Sequence, residues 1–355
     1  MSGYLQTALT DALGCRYPIV QTAMGWVADA NLVIASTRAG AFGFLAGATI
    51  AADQLEAEIQ RVIEATGGSN FGLNFHMFQE NAAQCVDLAI EYRLRAVSYG
   101  RGPDRQTIER FKRAGVLCIP TVGALKHALK AVELGADMVT VQGGEGGGHT
   151  GGVPSTILLP QVLDAVQVPV IAAGGYSTGR GLAGALASGA AGIAMGTRFL
   201  MTRESPTPLA TLERYVKVKD AQQIRVTLAV DGMRHRMIEN AFINRLEKAG
   251  AFGRLRIALG SAWQWKQQTG MSLGHMFSVF AQSVKEDPGA LSQTVMAANQ
   301  PVLLQRSMVD GIPDEGILPS GQVAAAISEL KSCEELIQEM VLEAERCLGR
   351  LHRTV

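Results

Sequence analysis

A chain of 355 residues, 47% hydrophobic and 18% charged, carries enough apolar material for a large core and too little charge for a disordered chain. Its 32 basic and 32 acidic residues cancel, which excludes a global field that would gather nucleic acid or an anionic membrane. Apolar stretches break at glycine or charge well short of the ~20 residues that span a bilayer, so a soluble, cytoplasmic protein is expected. The five scattered cysteines (Cys15, Cys85, Cys118, Cys333, Cys347), with no CxxC pair and no signal peptide before them, read as reduced thiols.

Along the chain, short apolar runs alternate with amphipathic segments. The runs are YPIVQTAM, AFGFLAG, FGLNF, RAVSY, VLCIP, DMVTVQGG, VPVIAAGG and AGIAMGT. Between them, 52–66, 79–92, 104–114, 123–134 and 179–189 have helical spacing, several stopping at a glycine such as Gly115, Gly135 or Gly189. Runs that are apolar throughout suit a parallel sheet covered on its outer face. Eight βα repeats predict an α/β fold of the (β/α)8 TIM-barrel type, with an open doubly wound sheet as the rival.

After Phe199 the rhythm becomes helical with almost no strand signal. The expected layout is a barrel over 1–202, an inserted helical cap for substrate over 203–305, and helices over 306–355 that pack back on the barrel.

In such a barrel the loops after the strands form the active face. The sixth run ends in VQGGEGGGHTGG, seven glycines around Glu145, His149 and Thr150. Two further glycine turns follow runs seven and eight, at Gly174, Gly175 and Ser177 and at Met195, Gly196 and Thr197. Backbone N–H groups there can converge on a phosphate without meeting a Cβ, which points to a mononucleotide. The string from Gly146 to Gly151 also spells GxGxxG, but it follows the sixth strand rather than the first and Pro154 interrupts the helix entry. Asn74 and Gln142 end runs three and six and can offer carboxamides to a flavin edge, and Ala23, Met24 and Gly25 can lie along a flat ring.

QTAMGWVADANLVIASTRAGAFGFLAGA, GLNFH, VQGGEGGGHTGG, PVIAAGGYSTGRG and GIAMGTRFLMT resemble the nitronate monooxygenase (2-nitropropane dioxygenase) family of FMN-dependent TIM barrels. That resemblance implies FMN held by Ala23, Met24, Gly25, Asn74, Gln142, Gly147, Gly174, Gly175, Met195, Gly196 and Thr197, and the phosphate turn adds Ser177. It puts His149 at the family's active-site histidine, where an imidazole can move a proton. His76, His127, His275 and His352 read as structural, and Glu145 as a solvated or loop-stabilising acid rather than a second catalyst.

Members of the family include nitronate oxidases, NAD(P)H-dependent quinone reductases and enoyl reductases. VDGMRHRMIEN, the stretch VMAANQPVLLQRSMVDGIPDEGILPSGQVA and SCEELIQ are most similar to the branch that acts on indane-carboxyl-CoA thioesters in steroid C/D-ring degradation. That likeness implies redox change at a carbon–carbon bond beside the thioester. Between Arg234 and Lys266, seven cations (Arg234, Arg236, Arg245, Lys248, Arg254, Arg256, Lys266) face two acids, Glu239 and Glu247. Such an excess suits CoA phosphates, and a solvated helix face would carry it equally well. The readings left open are an acyl-CoA oxidoreductase, a nitronate monooxygenase using oxygen, a quinone or enoyl reductase drawing on NAD(P)H, and a non-catalytic flavin barrel. No metal is expected, and a homodimer is allowed.

Overall fold

The apolar runs do form parallel strands, and their faces explain why they do not alternate. In this computed structural model, which describes residues 3–77, 79–100, 102–250, 253, 260 and 299–353, the strands are β1 (Ile19–Gln21), β2 (Phe42–Ala46), β3 (Gly72–Phe75), β4 (Ala96–Tyr99), β5 (Leu117–Cys118), β6 (Thr121–Val122), β7 (Val139–Gln142), β8 (Gly148–His149), β9 (Val170–Ala173), β10 (Gly192–Met195), β11 (Ile224–Thr227) and β12 (His235–Ile238). On β2, Phe42 and Phe44 enter one buried cluster with Val20, Ile119 and Ile171, while Leu45 enters another with Leu73, Val97 and Phe111. Both faces of the strand are therefore dry, and each tolerates only apolar side chains.

The chain forms two compact units. The first comprises 1–146, 150–206 and 326–355. Its parallel sheet runs β5-β4-β3-β2-β1-β10-β9-β7-β6. The two ends of that order are consecutive in the chain, because the fifth expected run is two short strands parted at Ile119 and Pro120. Ile119 donates to Val97 on one side (2.8 Å), and Pro120 accepts from Thr140 on the other (2.8 Å). One run thus hands over from β4 to β7 and closes the barrel. Helices between strands start at Asp29, Asp104 and Thr178, whose side chains accept N–H groups of the first turn, and several stop at glycines in the left-handed region, such as Gly67 and Gly135.

The helix Cys333–Arg353 belongs to this first unit and lies against the helix Gly179–Ala187. A Cβ on Gly179 would sit 2.1 Å from the Met340 carbonyl oxygen, so the two backbones touch where only glycine fits. Glu343 accepts from the Gly179 and Arg180 N–H groups (2.9 and 3.3 Å) and pairs with the Arg180 guanidinium (2.8 Å), filling the helix N-terminus with a carboxylate.

The second unit comprises 147–149 and 207–325. Residues 306–325 are in it, and it is not wholly helical: β11, β12 and β8 form an antiparallel sheet in that order. The 318–320 segment runs on beside β12, with Ile238 donating to Leu318 (2.9 Å) and Ser320 to Arg236 (3.2 Å). These strands escape a periodicity reading because each is at most four residues long and β8 comes from far upstream. Val230, Met237, Ile243, Leu246, Leu303 and Ile317 make the unit's core. Among the described residues no helix is long and apolar enough to cross a membrane.

Candidate active site

In the barrel unit, the loops after β1 and β10 adjoin. Thr22 donates to Met195 (3.2 Å), and a Cβ on Gly196 would lie 3.2 Å from Thr22 and 3.4 Å from the Met24 sulfur. After β9, Gly174 and Gly175 take left-handed backbone (φ +97° and +81°). The N–H groups of Gly175, Tyr176 and Ser177 that follow donate to no protein acceptor among the described residues. Three successive unspent donors with no Cβ at the turn fit a phosphate. The start of the next helix is not part of that cradle, since Glu343 takes its N–H groups. Asn74 lies between Ala46 and Ser98 in register, and its amide donates to the Ser98 carbonyl (3.0 Å), leaving its oxygen turned to no protein donor among the described residues. Gln142 ends β7, half-buried.

The glycines of 143–152 answer mainly to the protein's own backbone. A Cβ on Gly143 would meet Ser155 Oγ at 2.1 Å, one on Gly147 the Gly321 nitrogen at 2.5 Å, and one on Gly151 the Gly123 oxygen at 2.8 Å, while Gly146 leaves space for the Gln142 side chain. Gly152 alone in the run has open space around it. Glu145 caps the helix Ser155–Ala165, accepting from the Ser155 N–H (3.0 Å) and hydroxyl (2.9 Å). It has the loop-stabilising role expected of it.

Residues 147–149 cross into the second unit, where β8 pairs with β12 and sets His149 opposite His235. The two imidazoles stack with centroids 4.5 Å apart at 26°. Asp231, on the turn before β12, places Oδ2 2.6 Å from His149 Nε2 and 4.0 Å from His235 Nδ1, while its Oδ1 accepts from the Met233 N–H (3.0 Å). His149 keeps 40% of its side-chain surface exposed against 1% each for Asp231 and His235, so it alone of the three can meet a substrate.

Burial works against ionisation of Asp231, but the hydrogen bond with His149, that ring's charge and the Met233 N–H together hold its carboxyl below the ordinary range. Burial, with the charge of His149, pushes His235 down to about 4, against the pull of Asp231. These three residue types could ligate a metal, and their ligand atoms lie within 4.8 Å of one another. At 2.6 Å, however, the His149–Asp231 contact is a hydrogen bond, shorter than the ~3.3 Å edge of a tetrahedron with 2.0–2.1 Å bonds.

The His235 shift has a consequence for stability. Unfolded, the ring titrates near 6.5, and folded near 4, so between these values the unfolded chain binds more protons. Stability therefore rises with pH across that window and is lost as pH falls through it. Asp231 acts with the same sign at lower pH. We expect the wild-type Tm to drop between pH 6.5 and 4 more steeply than that of His235→Phe, which keeps a stacked ring and removes the titration. Thermal scans across that range check this, and parallel curves would refute it.

Of the seven cations expected to hold an anion, Arg254, Arg256 and Lys266 lie outside the described residues. Arg234, Arg245 and Lys248 are exposed, Arg236 is half-buried on β12, and Arg245 sits over the Phe242 ring at 6.0 Å. The acids counted against them are already engaged: Arg225, upstream of that window, pairs with Glu239 (3.7 Å) and Glu247 (3.1 Å). Cys15, Cys85, Cys118 and Cys333 are pushed up to about 12 by burial, so none is a nucleophile near neutral pH.

A closed parallel barrel with glycine turns after its last strands, in one chain with an acid-paired histidine, defines the class of α/β-barrel proteins, and the proteins this chain matches make it an oxidoreductase. The chain belongs to the nitronate monooxygenase family, whose model matches residues 6–87 and 76–343, and with that membership comes a flavin cofactor. It is 44% identical over 347 residues, 98% of each chain, to the (3aS,4S,5R,7aS)-5-hydroxy-7a-methyl-1-oxo-octahydro-1H-indene-4-carboxyl-CoA dehydrogenase of Rhodococcus jostii, and 45% identical over 343 residues, 96% of each, to that of Mycobacterium tuberculosis. A probable nitronate monooxygenase of Staphylococcus saprophyticus is 29% identical over 69% of this chain and 81% of its own. Among solved structures, FabK from Thermotoga maritima superposes with TM-score 0.79 at 27% identity over 99% of both chains. Nitroalkane oxidase from Streptomyces ansochromogenes gives 0.76 at 27%, covering 97% of this chain and all of the other.

Proposed function

We propose that the protein is an FMN-dependent dehydrogenase of an alicyclic carboxyl-CoA thioester of the hydroxy-methyl-oxo-indane type, serving steroid C/D-ring breakdown. The observation that carries this reading is the 44–45% identity to two such dehydrogenases along nearly the full length of both partners. The 29% likeness to nitronate monooxygenases covers less of the chain and supports the family chemistry rather than the substrate. A thioester acidifies its α-carbon as a nitro group does, so one site can serve both.

On this reading the loop N–H groups of Gly175, Tyr176 and Ser177, with Gly196 and Thr197, hold the cofactor phosphate. Asn74 and Gln142 meet the polar edge of the ring, and Ala23, Met24 and Gly25 lie beside it; Gly147, Gly174 and Met195 complete the set. Bound flavin supplies hydride exchange with the β-carbon. His149 moves the α-proton. The cations at Arg234, Arg236, Arg245 and Lys248, with Arg254, Arg256 and Lys266, attract the CoA phosphates. Anaerobic titration of the purified yellow protein with CoA thioesters, alkyl nitronates and NAD(P)H tests the assignment: flavin reduction by thioesters of this ring class supports it, and response to nitronates alone overturns it.

Two further results are expected. Cofactor released by denaturation should have the mass of FMN, because the glycine turns after β9 and β10 are the turns proposed as a phosphate cradle, which suits a mononucleotide. FAD would refute this. Neutralising Arg234, Arg245 or Lys248 should raise KM for the thioester and leave that for a small nitronate unchanged. Exposed contacts of this kind are screened over about 8–10 Å at ordinary ionic strength, so the thioester KM should also climb with salt. A flat salt profile would remove the anionic handle from the argument.

A further inference from the structure

We propose that the barrel unit holds a phosphate-binding pocket built on the guanidinium of Arg198, where the short helix Thr197–Leu200 meets the chain returning at 326–343. The inference stands on these residues and does not depend on the substrate assigned above.

Arg198 follows the end of β10, and only 4% of it is exposed. Its Nη1 donates to the Glu329 carbonyl (3.4 Å), whereas Nε and Nη2, both buried, have no hydrogen-bond partner among the described residues. Those two nitrogens share one edge of the planar guanidinium, the edge that meets two oxygens of a single carboxylate or phosphate through parallel hydrogen bonds. Burial works against the charge of this group, while Glu329 and Glu339 pull the other way. A buried cation with two unspent donors is costly, and an anion on that edge removes the cost.

The same side chain lines a pocket of 170 Å³ together with Ser177, Thr178, Lys331 and the acids Glu329, Glu339 and Glu343, all within the first unit. That space is well beyond the ~10–15 Å³ that holds one water. The acids do not close it to an anion, because each is engaged. Lys331 takes Glu329 (3.1 Å) and Glu339, while Arg180 (2.8 Å) and the Gly179 and Arg180 N–H groups take Glu343. With Lys331 shared between two acids there is no broad positive field, so binding rests on the Arg198 fork.

A fork of fixed spacing cannot give both donors good geometry on a spherical ion such as chloride. A carboxylate lies in the plane of the fork, whereas a phosphate carries further oxygens out of that plane. These suit Ser177, whose N–H and hydroxyl donate to no protein acceptor among the described residues. The phosphate can be the flavin's own, since Ser177 also ends the glycine turn after β9, or a free ion.

Two measurements on the full-length protein separate these sources. In the first, inorganic phosphate is titrated into flavin-loaded protein at constant ionic strength set with chloride, and 31P line widths report binding. In the second, equilibrium dialysis measures the affinity for FMN and for riboflavin, which lacks the phosphate. If a free ion is the occupant, wild type takes up phosphate saturably, and Arg198→Lys, which keeps the charge and loses the fork, weakens it roughly tenfold or more. Arg198→Gln abolishes it. If the flavin phosphate is the occupant, loaded protein takes up no free ion, and Arg198→Lys weakens FMN roughly tenfold while leaving riboflavin unchanged. Absence of phosphate uptake by wild type together with unchanged FMN affinity in Arg198→Lys would overturn the proposal. Phosphate uptake that both variants retain would overturn it too, as would equal weakening of FMN and riboflavin without phosphate uptake, the mark of a residue that only holds the fold.

Discussion

His149→Ala should give a protein that stays yellow and turns over roughly 10²–10⁴-fold more slowly, the range expected when a positioned general acid or base is removed. The two halves of this result have separate causes. Retention of cofactor is expected if the phosphate is held as proposed, because the N–H groups of Gly175, Tyr176 and Ser177 and the turn at Gly196 belong to the barrel unit, whereas His149 is paired into the sheet of the other. Loss of turnover follows from the ring's exposure beside buried Asp231. The decisive measurement is single-turnover reduction of bound flavin under anaerobic conditions. If His149→Ala reduces its flavin at the wild-type rate, another group moves the proton.

Gly179→Ala should be among the most destabilising single substitutions in the barrel unit, costing about 3 kcal/mol or more. The new Cβ would lie 2.1 Å from the Met340 oxygen and 2.6 Å from the Ala344 nitrogen, both backbone atoms of a helix that cannot swing aside as a side chain would. Relief requires the helix Cys333–Arg353 to shift, which also pulls Glu343 from the Gly179 and Arg180 N–H groups. Five residues along the same helix, Gly184 has no atom within 4 Å of its Cβ position. Gly184→Ala should therefore stabilise by ~0.5–1 kcal/mol through lower unfolded-state entropy. Chemical denaturation of the pair checks both signs in one experiment, and equal midpoints would mean that the helix contact carries no stability.

The barrel was legible because strands buried on both faces must be apolar throughout, a pattern that survives without knowledge of neighbours. The fifth strand's division at Ile119 and Pro120 was not, since it reflects which partner lies on each side. The strands of the second unit were hidden for the same reason: β8 has two residues, and its partner comes from another part of the chain. Glycine spacing marked the turns after β9 and β10, but a glycine needed by a ligand and one needed by a neighbouring backbone look identical in a string. Gly143, Gly147 and Gly151 have backbone or Ser155 atoms against them, which the sequence could not reveal. His149 stood out by its setting among glycines, whereas Asp231 and His235 did not. The hint was an acid and a histidine four apart around a glycine turn, with nothing in the string to tie them to a residue 82 positions upstream of Asp231.

The three-residue excursion at 147–149 also limits how this chain can be recombined. The boundary between the units is crossed at 146/147, 149/150, 206/207 and 325/326, so the second unit is not one removable cassette. A chimaera made by grafting a relative's 207–325 onto this barrel would keep the native His149 and surround it with a foreign acid, a foreign stacking partner and a foreign backbone at the position of Gly321. Swaps that carry 147–149 together with 207–325 preserve both the two-residue strand and the His149–Asp231 hydrogen bond.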